Sequence, residues 1–105
     1  MQINEMKQEF YEVSKILEDV KTMVDYESLK MEVEELDRLT YVQGFWDDVT
    51  GANKVIKQLK DLKSTYVRIT DFFELFEEIK MVYELLVLGE DMDEEYLQLI
   101  SDFKE

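Results

Sequence analysis

From Phe45 to Leu88 the chain runs without a proline and with a single glycine, Gly51, and this stretch limits the fold more than any other. Beyond Asp48 its apolar residues, Val55, Leu59, Leu62, Tyr66, Ile69, Phe73, Phe76, Val82 and Leu86, mostly recur three or four positions apart. That spacing is the stripe of an amphipathic helix. A helix over about 48–88 would be roughly 60 Å long, about twice the diameter of a small domain. A chain of 105 residues cannot enclose such a helix along its whole length. The reading is therefore an all-α fold: an elongated helical bundle or coiled-coil-like hairpin built on that one long helix, with shorter helices at about 4–22, 26–39 and 92–105.

Size places residues 1–105 in one helical domain. Hydrophobic residues make up 46 % and charged residues 36 %, with no proline and three glycines, a composition that favours long helices over a loop-rich fold. Cysteine and histidine are both absent, which leaves no disulfide framework and no thiol or imidazole chemistry. No apolar run approaches the ~20 residues that cross a bilayer, and the N-terminal residues lack the basic flank and apolar stretch of a signal peptide. The chain reads as soluble, unprocessed and cytoplasmic, with no membrane partner.

The formal net charge of −14 speaks against a general nucleic-acid binder, which needs a basic footprint. Its distribution is uneven: residues 1–51 carry 5 basic and 13 acidic side chains, residues 52–70 carry 5 and 1, and residues 71–105 carry 2 and 12. One basic island thus sits between two acidic blocks.

In the first helix Ile3, Met6, Phe10, Val13, Leu17 and Val20 are spaced alternately three and four apart, a coiled-coil-like seam, and Asn4 is placed to cap its start. Asp25 is placed to cap a second helix whose apolar face is Tyr26, Leu29, Val33 and Leu36. No glycine or proline marks the break, so the two are either separated by a turn, the preferred reading, or one bent helix. Gly44 supplies a reversal. Phe45 and Trp46 then anchor the start of the long helix in the manner of a hydrophobic staple, and Asp47 or Asp48 caps it. Thr65 to Thr70 is its weak stretch, where a bend is expected near Tyr66. Gly89 is placed to end it. Asp91 and Glu94 have the spacing of a capping box for a last helix with Met92, Tyr96, Leu99, Ile100 and Phe103 on its apolar face. That helix reaches Glu105 with no stop signal, so the chain reads as cut from something longer.

Catalysis has little to work with. A serine nucleophile lacks its histidine, and carboxylates are too common on solvated helix faces for one pair to stand out; no catalytic residue, cofactor or metal ligand is assigned, and the chain is not expected to be an enzyme. The run Asp91-Met92-Asp93-Glu94-Glu95-Tyr96 begins like a calcium loop but has Tyr96 where that loop needs glycine. Gly51-Ala52-Asn53-Lys54 lacks the spacing of a phosphate loop. Lys54, Lys57, Lys60 and Lys63 recur every third residue and so drift through about 180° of the helix surface, making a broad sleeve. They either pair with the acidic helices for solubility or form a phosphate-facing patch. Phe72, Phe73, Phe76 and Tyr83 read as core; if the C-terminal helix that covers them is truncated, part of that face is exposed and drives self-association.

At Asp25-Tyr26-Glu27-Ser28-Leu29, Phe45-Trp46-Asp47-Asp48, Asn53-Lys54-Val55 and Leu59-Lys60-Asp61-Leu62-Lys63, followed by an acidic D-E-E run, the sequence resembles the N-terminal domain of bacterial peptide chain release factor 2. The resemblance covers essentially the whole chain, and F-W-D-D is its most specific part, since the release factor 1 family lacks it at this place. It implies the mostly helical first domain of a class I release factor, a family that recognises UAA and UGA on the ribosome and triggers peptidyl-tRNA hydrolysis. The family's decoding Ser-Pro-Phe tripeptide and Gly-Gly-Gln loop lie in later domains and occur nowhere in this chain. The resemblance also implies a seat near the factor-binding region of the large ribosomal subunit and an association with the GTPase release factor 3, with the lysine sleeve as a candidate ribosome contact. The alternative is a standalone helical adaptor or regulator derived from a truncated release factor.

Overall fold

The structure is a computed structural model that describes residues 3–104. Its secondary structure is helical: α1 (Ile3–Met23), α2 (Tyr26–Leu39), a 3-10 turn (Phe45–Asp47), α3 (Val49–Val87) and α4 (Asp93–Lys104), with no strand among the described residues. The expected all-α fold built on one long helix is the fold observed. No helix is long and apolar enough to cross a membrane. Two compact units divide the chain, one made of Met1–Val24 with Asp71–Glu105, the other of Asp25–Thr70.

Each helix end has a local cause. Val24 and Asp25 are non-helical, and the Asp25 carboxylate accepts from the Ser28 amide at 3.1 Å and the Ser28 hydroxyl at 2.8 Å; α1 and α2 are therefore separate helices and not one bent one. Gly44 turns the chain at φ 85°, where a side chain would be strained. Asp48 caps α3: its carboxylate accepts the Gly51 amide at 3.1 Å and its carbonyl the Ala52 amide at 2.8 Å. A Cβ on Gly51 would come within 2.5 Å of that carboxylate, so the glycine that weakens helix propensity here makes room for the cap. At the other end Gly89 adopts φ 97°, its amide donating to Leu86 and that of Glu90 to Leu85, both at 3.0 Å, the paired bonds of a glycine-terminated helix. Thr65 to Thr70 stays helical, with the Thr65 and Thr70 hydroxyls donating to the Asp61 and Tyr66 carbonyls one turn earlier.

Two expected caps are corrected. Asn4 lies inside α1, which already includes Ile3. Helix α4 begins at Asp93, with the Met92 carbonyl accepting from the Tyr96 amide at 2.9 Å, so a capping box from Asp91 to Glu94 is out of register by one residue. Asp93, Glu94 and Glu95 instead fill its first turn, where the helix dipole favours negative charge. Glu105, the expected ragged end, lies outside the described residues.

The first unit holds a continuous apolar cluster: Met6, Val13 and Leu17 from α1, Phe76, Ile79, Val82 and Leu86 from α3, and Tyr96, Ile100 and Phe103 from α4. The aromatic residues are stacked within it. Phe10 lies 4.2 Å from Tyr83 and Phe72 lies 4.4 Å from Phe103, centroid to centroid, so α1 and α4 pack on the face read as core. The Tyr96 hydroxyl donates to the Met6 carbonyl at 3.1 Å across this core, and Lys104 closes the rim with Glu9 at 3.0 Å and Glu12 at 3.5 Å.

Candidate functional site

The candidate residues lie in the second unit, on the 3-10 turn and the N-terminal half of α3. Apolar stripes position them. Val55, Leu59, Leu62, Tyr66 and Ile69 are half-buried, as are Tyr26, Leu29, Val33 and Leu36 of α2, while the polar residues between them face water. The pairing of α2 with α3 is tied by Tyr26, whose ring stacks on Tyr66 at 5.2 Å and whose hydroxyl lies 2.6 Å from the Thr70 hydroxyl. The Thr70 proton is committed to the Tyr66 carbonyl at 2.8 Å, and a hydroxyl has only one. Tyr26 can therefore serve as the donor to Thr70, and hydrogen bonding with Tyr26, with burial beside it, pushes the Tyr66 phenol above its ordinary value. Sequence reasoning placed Tyr26 and Tyr66 on their apolar faces but missed this polar chain, since periodicity carries no information about which hydroxyls meet.

Phe45 and Trp46 meet edge to face at 5.3 Å in the 3-10 turn. The anchoring expected of them falls mainly to Phe45, which is half-buried, because Trp46 keeps 56 % of its surface exposed. The two aspartates separate in role. Asp48 caps α3, whereas the Asp47 amide donates to the Gly44 carbonyl at 3.0 Å and its carboxylate lies over Gly44.

Lys54, Lys57, Lys60 and Lys63 are all exposed on consecutive turns of α3, and among the described residues none has a carboxylate within ion-pair distance. The expected pairing with acidic helices is thus not the arrangement found. Arg68, also exposed, extends the same basic surface. Within the second unit 7 basic side chains face 9 acidic ones, against 5 and 17 in the first, so the four ammonium groups stand in the less negative part of the chain. Each is a mobile point charge suited to an oxyanion such as a phosphate, without the planar geometry that would select one base or one carboxylate. No group of three or more Asp and Glu side chains among the described residues is placed to hold a metal ion.

No protein-family model matches the chain, and no solved structure matches it significantly. Among curated proteins it is similar to peptide chain release factor 2 of several bacteria. The match to that of Staphylococcus haemolyticus is 28 % identical over 107 aligned positions, covering 100 % of this chain and 29 % of the relative. The match to that of Clostridium perfringens is 27 % identical, covering 99 % and 28 %. With that of Saccharopolyspora erythraea identity is 31 % over 74 positions, covering 70 % and 20 %. The chain therefore spans less than a third of the length of these relatives. Over nearly its whole length this helical chain is similar in sequence to bacterial peptide chain release factor 2 and resembles that factor's N-terminal domain.

Proposed function

We propose that the chain serves translation termination as the ribosome-docking domain of a class I release factor of the release factor 2 type, acting in the cytoplasm and without catalysis of its own. The observation that carries this reading is the similarity to release factor 2 along nearly the full chain. Neither a Ser-Pro-Phe nor a Gly-Gly-Gln segment occurs in it, so stop-codon reading and peptidyl-tRNA hydrolysis are assigned to other parts of the relatives' length. The docking surface is the sleeve of Lys54, Lys57, Lys60 and Lys63, which meets phosphates of the factor-binding region of the large subunit; release factor 3 is the further partner.

The uneven charge favours a directed encounter. With a net charge of −14 overall, most of the surface repels a polyphosphate, while the lysine sleeve with Arg68 attracts it, so approach and orientation are selected together. Binding would release counterions in proportion to the phosphates neutralised. Replacing Lys54, Lys57, Lys60 and Lys63 with glutamate and measuring ribosome affinity across a salt series tests this. The expected result is weaker binding with a log–log salt slope shallower by up to about three to four. Unchanged affinity and slope would remove the sleeve as the docking surface.

A further inference from the structure

In the first unit, the C-terminal half of α3 and the start of α4 leave an open groove of about 470 Å³, within the ~300–1,000 Å³ range of sites that take up organic groups. Val82 forms its buried floor with half-buried Met92 and Leu99, and the exposed carboxylates of Glu78, Glu94 and Glu95 line its rim. The two basic side chains of residues 71–105 do not neutralise that rim. Residues 71–105 hold 12 acidic and 2 basic side chains; Lys104 is already held by Glu9 and Glu12, and Lys80 lines a different hollow with Glu77 and Glu84. Glu78, Glu94 and Glu95 have no cation within ion-pair distance among the described residues.

We infer that this groove docks a basic amphipathic helix of a partner protein, which sets apolar side chains on Val82, Met92 and Leu99 and lysines or arginines against the three glutamates. An apolar floor between like charges takes a helix whose apolar stripe is flanked by the opposite charge. A second copy of this chain fits poorly. Its basic segment is the lysine sleeve, whose apolar stripe of Val55, Leu59 and Leu62 is already half-buried within its own unit and whose lysines spread around the helix instead of flanking one face. This surface is separate from the sleeve and goes beyond the docking proposed for it.

A test uses the intact 105-residue chain and a synthetic amphipathic peptide of leucine and lysine, leucines at helical spacing. Two control peptides accompany it: one with the leucines shuffled and one with glutamate in place of lysine. Fluorescence anisotropy gives Kd, and the Met92 methyl resonance reports the site. The expected result is saturable binding of the basic peptide alone, a shift of the Met92 methyl, and steep weakening with salt. The variant Glu78→Gln/Glu94→Gln/Glu95→Gln should bind on the order of tenfold more weakly, the combined worth of three exposed ion pairs. Equal binding of the shuffled peptide, an unmoved Met92 methyl, a triple variant that binds like the parent, or a concentration-dependent dimer that occupies the groove would each overturn the proposal. Should circular dichroism show that the triple variant loosens α4, the salt dependence and the Met92 shift of the parent chain decide it alone. Neither arm depends on ribosome binding, so the two surfaces stand or fall separately.

Discussion

The unit formed by Met1–Val24 and Asp71–Glu105 encloses ten buried apolar side chains in one cluster, whereas Asp25–Thr70 encloses one among the described residues, Ala52. The helices of both units are amphipathic, and the difference lies in how many surfaces each stripe meets. In the first unit the α3 stripe is covered by α1 and α4, so Val13, Ile79 and Tyr96 lose all contact with water and their neighbours most of it. In the second, two helices share their stripes with each other and leave every apolar residue except Ala52 in some contact with solvent. Cohesion is therefore concentrated in the acidic unit. The lysines stand in the unit with the lower density of buried contacts, where local opening is easier.

The largest effect that could break this comparison comes from the core. Ile79 is fully buried, and Ile79→Ala should lower unfolding free energy by about 2–5 kcal/mol. Half-buried Leu62→Ala should cost only about 1 kcal/mol. Urea unfolding followed by circular dichroism measures both, and equal losses would mean that the two units share stability evenly.

Next in size is Tyr96→Phe, which removes the bond to the Met6 carbonyl and should cost about 1 kcal/mol. The same residue supplies a pH signature. Burial, reinforced by the nearby Glu9 charge, pushes the Tyr96 phenol above its ordinary value of 10.0. The folded state thus holds the phenolic proton more tightly than the unfolded chain does. The stabilisation is complete below about pH 10 and is lost as pH rises further. Thermal melts of the parent chain should fall through that range more steeply than those of Tyr96→Phe, and parallel curves would contradict the burial.

Smaller effects sharpen the picture at the edges. Hydrogen bonds from the Ser28 amide and hydroxyl hold the Asp25 carboxyl below the ordinary carboxylate range, a contribution present above the unfolded pKa and lost as pH falls through the folded one. Asp25→Ala should lower helicity in α2 at neutral pH and remove that acid dependence, as residue-resolved hydrogen exchange over residues 26–39 would show. Lys104→Met should cost the least, below about 1 kcal/mol, because its bridges to Glu9 and Glu12 lie at the solvated surface; a larger loss would show that the rim, and not the apolar cluster, holds α4 in place.

Much of the fold was legible in the residues. The α3 stripe, the Asp25 and Asp48 caps, and the left-handed glycines Gly44 and Gly89 are local signals, each set by a few neighbouring positions. Ile79 was missed although it stands three residues from both Phe76 and Val82 and so fills the six-residue gap left in the stripe; it is among the most buried of the described residues. The Asp91 capping box failed by one residue because several acids lie side by side, and composition does not choose among them. Of the candidate site, the lysine spacing was readable, but whether those lysines were paired was not.

By itself, then, the sequence determined that this protein is helical, where its long helix starts and stops, and how its charge is divided, because backbone hydrogen bonding, capping and periodicity act over one or two turns. Only the tertiary structure decided that α1 and α4 pack on the aromatic face, that the Tyr26 hydroxyl meets that of Thr70, and that Lys54, Lys57, Lys60 and Lys63 have no acidic partner within ion-pair distance among the described residues. Those outcomes depend on side chains distant in sequence coming within a few ångströms of one another, and local spacing cannot encode that distance.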